Sequence, residues 1–308
     1  MSSATTVHEQ IQAIETYLMS KPGTRGMDSL FPAVRGELSA GVGVLSQAKR
    51  VLILTGFYVS KAGACETDGP LGVAPVAEAL HALGAEVTVA ASSHNFPVVD
   101  AAIKAMLALC PGAAVETVEI TDSLIDTACR GKFDAVLSVE TPGQANDGTA
   151  RSMRGQDITE WHTPPPDPIF RAKGVTTVSV GDGGNELGFG QLLGMATSYI
   201  ENGATIACAT PSDTLILGAV SNWACYAIAM GLHAIHTRRL NAKKGPDVPA
   251  SLAVKGQVAV LAAMLGAGAV DGVTGEAVES IDGMPWEEHA AFIEGLPGFE
   301  PEKPKKKA

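Results

Sequence analysis

The stretch Gly181-Asp182-Gly183-Gly184-Asn185-Glu186-Leu187-Gly188 decides the fold prediction, because it lies at a sharp turn between two regular elements. The β-branched run 175–180 before it is typical of a buried strand, and the segment 187–200 after it has helix-forming residues. Glycines allow positive φ angles and the close approach of a ligand to the backbone. We therefore predict a strand, a ligand-binding turn and a helix in succession.

Polar side chains give this turn its chemical interest. Asp182, Asn185 and Glu186 lie within five residues of one another. Carboxylates bind hard cations or ammonium groups, and they transfer protons. An ordinary helix start, with an N-cap Asp and a first-turn Glu, is the alternative interpretation. The functional interpretation is favoured because two other stretches repeat the arrangement of glycine and carboxylate after a strand.

Strands and helices alternate along the chain, which predicts an α/β fold with a mostly parallel sheet and helices on both faces. The continuous apolar run 51–54 predicts the first strand, and further strands are predicted over 86–91, 115–120, 135–139, 175–180 and 205–209. Helical periodicity predicts the helices 5–19, 72–83, 96–109, 122–130 and 257–265, and a long apolar helix that begins near Ser212 or Asp213. The segment 141–173 is too rich in proline and too long for an ordinary connection, so it is predicted as a Pro-rich insertion.

The composition indicates one large packed domain. The chain has 308 residues and a hydrophobic fraction of 46%, which argues against general disorder. We predict an N-terminal helical segment over 1–50, a single α/β domain over 51–300 and a flexible, lysine-rich tail over 301–308.

Charge and hydropathy disfavour several classes of partner. The formal net charge of −11 disfavours nucleic acid, and no apolar run reaches the length of a membrane span. The first residues lack the apolar core of a signal peptide. We therefore expect a cytoplasmic protein with a small-molecule substrate and neither a nucleic-acid nor a membrane partner. The sequence leaves a homo-oligomer open.

Glycine-rich polar stretches follow three of the predicted strands. Ligands bind outside the carboxyl ends of parallel strands, so we expect these stretches to form one site. Carboxylates that crowd together are costly unless a cation or a proton lies among them. The candidates are Thr55, Gly56, Lys61, Glu66 and Asp68 after the first strand, Glu140, Asp147 and Arg154 after the fourth, and Asp182, Asn185 and Glu186 after the fifth.

Common cofactor motifs are missing from the sequence. Glu186 stands where G-x-G-x-x-G requires its last glycine, and neither a Walker A pattern nor H-E-x-x-H occurs. We expect no nucleotide or organic cofactor. A divalent cation such as Mg²⁺, Mn²⁺ or Ca²⁺ suits the oxygen ligands, with Asp182, Glu186 and Asp147 as candidate metal ligands. The polar pair Ser221-Asn222 inside an apolar helix needs either a neighbouring loop or a ligand as its partner.

Several strings of the sequence resemble the D-glutamate cyclase family. They are Leu54-Thr55-Gly56-Phe57, Glu66-Thr67-Asp68-Gly69-Pro70-Leu71-Gly72, the stretch 181–188, Ser221-Asn222-Trp223 and Asp271-Gly272-Val273-Thr274-Gly275. The resemblance covers residues 51–294 and implies a lyase of D-amino acid metabolism that converts D-glutamate to 5-oxo-D-proline and water. Thr141 and Gln144 stand where the family has arginines, which clamp carboxylates well, and Thr149 stands where it has an aromatic residue.

Lactam formation from glutamate requires acid–base chemistry. The α-ammonium must lose a proton, the γ-carboxylate must become electrophilic, and the departing oxygen must be protonated or bound to a metal. We predict Glu186 as the base and Asp182 as a metal ligand or ammonium anchor, with Glu140 and Asp147 as further candidates. The substrate-binding candidates are Thr55, Gly56, Lys61, Glu66, Asp68, Arg154, Asn185, Ser221 and Asn222.

Two other functions stay open on the sequence alone. One is a metal-dependent hydrolase that acts on a small phosphate ester or a related metabolite in the same acidic pocket. The other is a non-catalytic protein that binds a cation or an amino acid.

Overall fold

The structure, a computed structural model, describes residues 6–240 and 248–299. Its strands are β1 (Arg50–Thr55), β2 (Tyr58–Val59), β3 (Ala64–Cys65), β4 (Glu86–Ala91), β5 (Val115–Glu119), β6 (Ala135–Val139), β7 (Thr176–Gly181), β8 (Thr214–Leu217), β9 (Ser280–Ile281) and β10 (Met284–Pro285). Its α-helices are α1 (Val7–Met19), α2 (Glu37–Gln47), α3 (Pro70–Ala82), α4 (Phe96–Leu109), α5 (Asp122–Cys129), α6 (Asp167–Arg171), α7 (Leu193–Tyr199), α8 (Gly203–Ile206), α9 (Ser221–Arg239), α10 (Val254–Gly266) and α11 (Trp286–Glu294). The predicted tail 301–308 lies outside the described residues.

A parallel sheet forms the centre of the protein. In the described part of the chain it has six strands in the order β5-β4-β1-β6-β7-β8. β1 pairs with β4 on one side and β6 on the other, with Leu54 opposite Ala90 and Ser138. The order of the strands reverses between β1 and β6, which is where open α/β sheets bind their ligands.

Both faces of the sheet are covered by helices, which confirms the predicted fold class. Val51 and Ile53 of β1 pack into a cluster with α1, α2, α3, α4 and α9. Leu52 and Leu54 point to the opposite face and pack in a second cluster with α5 and α6. Burial on both faces explains why the central strands have continuous apolar runs rather than alternating ones.

The residues before β1 contribute to the same core as the sheet. Ile11, Ile14 and Leu18 of α1 and Val42 of α2 are buried in the cluster that contains Val51. The domain boundary at residue 50 stays a prediction. Among the described helices, none combines the length and the hydropathy needed to cross a membrane.

The predicted sixth strand over 205–209 is wrong. Its first residues belong to α8, and the sixth strand is β8, which pairs with β7. The long apolar helix is α9, which begins at Ser221 rather than near Ser212 or Asp213. The segments 205–209 and 214–217 are both short apolar runs with β-branched residues, and periodicity alone cannot show which of them forms a strand.

The glycine-rich turn after β7 does not lead directly into a helix, as the sequence predicts. The Leu187 N–H donates to the Thr141 carbonyl and the Gly188 N–H to the Thr210 carbonyl, so the chain runs on between neighbouring loops. A short 3-10 turn, Gly190–Leu192, precedes α7. The turn is therefore a separate loop, held by its neighbours at the carboxyl edge of the sheet.

Candidate active site

A cavity of about 200 Å³ opens at the carboxyl edge of the sheet. The loops after β1, β6 and β7 contribute to it, as does the hairpin β9–β10. The predicted residues that line it are Lys61, Glu66, Asp68, Glu140, Arg154, Asp182, Asn185 and Glu186. The structure thus brings together carboxylates from three separate strand ends.

Three buried carboxylates form what we call the floor of the cavity: Asp68, Glu140 and Asp182. Each offers an oxygen atom that lies within 4.8 Å of the other two. The N-terminus of α9 points at them, because the Ser221 N–H donates to Asp68 at 3.1 Å and to Asp182 at 3.2 Å. The Asn222 N–H donates to Asp68 at 2.8 Å. A helix N-terminus favours negative charge, so α9 offsets part of the repulsion on the floor.

Glu140 is held at the end of β6 in an uncommon backbone conformation. Its φ is 44°, in the left-handed region that a residue other than glycine rarely adopts. The Ser221 hydroxyl donates to Glu140 Oε1 at 2.5 Å. A Cβ on Gly69 would lie 2.6 Å from the Glu140 Cβ, so the loop after β3 needs glycine there. Burial, together with the charge of Asp182, raises the pKa of Glu140 well above its ordinary value.

Glu186 lines the cavity but directs its carboxylate at its own loop. It accepts hydrogen bonds from the N–H groups of Asp182 at 3.2 Å, Gly183 at 2.7 Å and Gly184 at 2.7 Å. Burial and the charge of Asp182 raise the pKa of Glu186 to about 7, although these hydrogen bonds act to lower it. The geometry assigns Glu186 to holding the turn in shape, and its role as the base stays a prediction.

Two functional candidates that sequence reasoning missed are Arg25 and Asp282. Arg25 donates to Asp182 at 2.5 Å and to Asp282, and both residues line the cavity. Burial, followed by the charge of Asp182, raises the pKa of Asp282 to about 7, while Arg25 acts to lower it. Neither residue follows a strand of the main sheet. Their only sequence signal is an adjacent glycine, Gly26 or Gly283, which is too weak to find a site.

Two cationic side chains lie at what we call the mouth of the cavity. Lys61 and Arg154 line it and are exposed, and neither forms an ion pair with another described residue. Tyr58 lies beside them and stacks on Trp161, with ring centroids 5.5 Å apart. The mouth therefore offers positive charge and an aromatic surface above a negative floor.

Several predicted site residues lie behind the cavity wall and do not line the cavity itself. Asn222 Oδ1 accepts from the N–H groups of Gly69 at 3.0 Å and Gly72 at 2.7 Å, so its partner is a neighbouring loop. Ser221 holds Glu140, as described above. Thr55 and Gly56 border a separate space of about 10 Å³, and the Thr55 hydroxyl is buried without a hydrogen-bond partner among the described residues.

The structure does not bring Asp147 to the site, in contrast to the predicted metal set. Its side chain is 53% exposed and pairs with Arg151 at 2.5 Å, outside the cavity. Asp147 lines a different pocket, together with Ala145 and Leu193, so a site built from Asp182, Glu186 and Asp147 has no geometric basis. Thr141 and Gln144, the two positions that depart from the family's arginines, do not line the cavity either.

The floor consists of carboxylates, which are the type of ligand that a hard cation requires. Binding of a divalent cation there stays a prediction. Asp68, Glu140 and Asp182 would hold it, because carboxylate oxygens suit Mg²⁺, Mn²⁺ and Ca²⁺. Arg25 and the N-terminus of α9 already compensate part of the charge. A bound cation would supply Lewis acidity toward a carboxylate.

Cation binding is expected to raise the melting temperature of the wild type by a few degrees at saturating Mg²⁺, Mn²⁺ or Ca²⁺, because a ligand that binds only the folded state stabilises it by about 2.7 kcal/mol at 100 times its Kd. Differential scanning fluorimetry of the wild type and of Asp68→Asn measures this. Asp147→Asn is the matched control and should keep the shift. A wild type that shows no shift with any of the three cations would contradict the prediction.

Comparison with known proteins gives two matches. A family model described as D-glutamate cyclase-like, C-terminal, matches residues 14–297. The human protein named D-glutamate cyclase, mitochondrial, is 29% identical over 321 residues, which cover 94% of this chain and 51% of that relative. The chain therefore spans about half the length of the curated relative it matches. The family match includes the cavity and every residue that lines it.

Proposed function

The chain belongs to the D-glutamate cyclase-like family, and on that premise we propose that it is a lyase that closes D-glutamate to 5-oxo-D-proline with release of water. The observation that carries this proposal is the distribution of charge in the cavity. Buried carboxyl groups lie on the floor, and Lys61 and Arg154, which pair with no other described residue, lie at the mouth. A glutamate zwitterion, with one ammonium group and two carboxylates, complements this arrangement.

In this proposal the floor holds either a divalent cation or, during turnover, the α-ammonium group of the substrate. Asp68 and Asp182 accept its hydrogen bonds, in the way that carboxylates bind ammonium groups. The α-carboxylate, which takes no part in the reaction, extends to Lys61 and Arg154 at the mouth. The reacting γ-carboxylate then folds back toward the ammonium nitrogen near Glu140. Holding the folded substrate converts ring closure into a favourable intramolecular step.

Proton transfer balances without any external acid or base. The nitrogen of the substrate loses two protons, a bond forms between the nitrogen and the γ-carbon, and one γ-oxygen gains both protons and leaves as water. Glu140 is placed to take a proton from the nitrogen and return it to the departing oxygen. Burial raises the pKa of Glu140 and of Asp68, which supports a floor that holds protonated and ionised carboxyl groups side by side.

A substrate panel tests the proposed function against its alternatives. The wild type is incubated with D-glutamate, L-glutamate and a generic phosphate ester, each with and without EDTA. Formation of 5-oxo-D-proline from D-glutamate, well above the rate without protein, is the expected result. Hydrolysis of the phosphate ester alone would favour a metal-dependent hydrolase, and binding without turnover would favour an amino-acid binding protein.

Two wider expectations remain proposals. We expect a cytoplasmic location for this chain, whereas the name of the human relative places that protein in mitochondria. We expect a small-molecule substrate and no nucleic-acid partner, because the cavity is small and the chain is acidic.

A further inference from the structure

One guanidinium group joins three separate segments of the chain at the cavity. Arg25 comes from the segment before β1, Asp182 from the turn after β7 and Asp282 from the hairpin β9–β10. Arg25 donates to Asp182 at 2.5 Å and to Asp282. The Arg25 side chain is 23% exposed, and the side chains of Asp182 and Asp282 are 2% and 9% exposed. Solvent therefore screens these ion pairs much less than it screens surface pairs.

Arg25 and Asp282, which contact each other through the guanidinium group, both have an uncommon backbone conformation. Four non-glycine residues have a positive φ in the described ranges, and three of them line the cavity: Arg25 (φ 55°), Glu140 (φ 44°) and Asp282 (φ 53°). Such conformations persist only where the surrounding contacts determine them, and they concentrate at functional sites. Because three such residues meet at one cavity, the contacts of Arg25 with Asp182 and Asp282 differ from an incidental surface ion pair.

Close contacts with neighbouring residues hold the two loops that carry Arg25 and Asp282. Gly26 has a φ of 89° and packs so closely on the Tyr199 carbonyl that any Cβ would overlap it. On the other side, Asp271 accepts from the Gly283 N–H at 2.8 Å and from the Ser280 hydroxyl at 2.6 Å. Both loops are thus built to present Arg25 and Asp282 to the cavity, and the guanidinium connects them to Asp182.

We propose that Arg25 is a positioning residue, which ties the segment before β1 and the hairpin β9–β10 to the turn after β7 and so fixes Asp182 and Asp282 at the cavity. The catalytic part of this inference rests on the proposed function, whereas the structural part does not. Removal of the guanidinium leaves two buried carboxylates without their partner, so both should move. A planar fork is required, because lysine offers one point charge and cannot hold two carboxylates in the same geometry.

Hydrogen exchange tests the structural part without any assay of activity. In Arg25→Gln, the amides of 23–27 and 280–284 should exchange about tenfold faster or more, since a charge-assisted hydrogen bond contributes at least that factor to local opening. The amides of β1 and β6 should be unchanged. Arg50→Gln is the matched control, because it removes the Arg50–Asp134 ion pair at the opposite edge of the sheet. Unchanged exchange in both loops would overturn the proposal.

Arg25→Lys guards against a variant that fails to fold. It keeps the positive charge and should unfold cooperatively in a thermal scan, yet it should still show faster exchange in 280–284. Protection equal to that of the wild type in Arg25→Lys would overturn the claim that the planar fork is needed.

A double-mutant cycle on turnover tests the catalytic part. Arg25→Gln should lower kcat for D-glutamate by about 10²-fold, because small displacements of reacting groups have effects of that size. KM should rise as well, because Asp182 is a proposed ligand of the substrate ammonium group. The double variant Arg25→Gln, Asp282→Asn should lose no more than the worse single variant, since both act on one unit. A rise in KM alone, or losses that multiply, would contradict the positioning role.

Failure of the proposed function and failure of the positioning role of Arg25 would give different results. A wild type without turnover on either glutamate enantiomer would refute the proposed function and the catalytic part of this inference. Faster exchange in both loops would then still support the structural role of Arg25. A wild type that turns over D-glutamate, with Arg25→Gln unchanged in kcat, would refute the positioning role alone.

Discussion

Replacement of Glu140 by glutamine is expected to lower kcat for D-glutamate by about 10²–10⁴-fold, the range typical of general acid–base catalysis. The glutamine side chain keeps the size of Glu140 and can still accept a hydrogen bond from the Ser221 hydroxyl, which lies 2.5 Å from Glu140 Oε1. It cannot take a proton from the substrate nitrogen. The positive φ of residue 140 is no harder for glutamine than for glutamate, so the variant should fold.

Steady-state kinetics of Glu140→Gln against D-glutamate measure this effect. The matched control is Glu119→Gln, which removes an exposed carboxylate at the end of β5, outside the cavity. The control should keep wild-type kcat. Wild-type turnover by Glu140→Gln would remove Glu140 from the mechanism and pass the acid–base role to Glu66 or Asp282.

Replacement of Glu186 by glutamine is expected to destabilise the fold as well as lower activity. The Glu186 carboxylate accepts three backbone N–H groups, whereas an amide has one acceptor oxygen and turns its NH₂ group toward the remaining donors. At least one buried N–H loses its partner, which costs about 1–3 kcal/mol for each unpaired group. The turn after β7 should open, and Asp182 should move with it.

Denaturant unfolding separates this role from that of a base. A shift of the midpoint to lower denaturant, without the same shift in the exposed control Glu201→Gln, is the expected result. A variant with wild-type stability but a large loss of turnover would instead support the sequence prediction that Glu186 is the base.

Local patterns predict most of the sheet because burial on both faces leaves a clear signal. The strands 86–91 and 135–139 have the predicted bounds, since each is a mainly apolar run that ends at a polar turn. The same signal misleads at 205–209, where a comparable run begins in the last residues of α8 and the next run forms β8. Which of two such runs joins the sheet depends on pairing with β7, and that contact is distant in the sequence.

The position of the candidate site also follows from the sequence, whereas the roles of its side chains do not. Polar residues after parallel strands meet at one edge, which brings Glu66, Glu140 and Asp182 to one cavity. Arg25 and Asp282 reach the same cavity from segments outside the main sheet, so no strand-end rule finds them. The role of Glu186 depends on which N–H groups face it, and only the folded loop determines that.

Isotope labelling follows both γ-oxygens of D-glutamate through the proposed ring closure. D-Glutamate that carries oxygen-18 at both γ-oxygens is incubated with the wild type and with Glu140→Gln. The product is separated on a chiral column, and its mass is measured by mass spectrometry. We expect the wild type to form 5-oxo-D-proline with one of the two labelled oxygens, while the other appears in water. Glu140→Gln should form this product at least about 10²-fold more slowly. No labelled 5-oxo-D-proline above the rate without protein, or equal rates for the two proteins, would contradict this expectation.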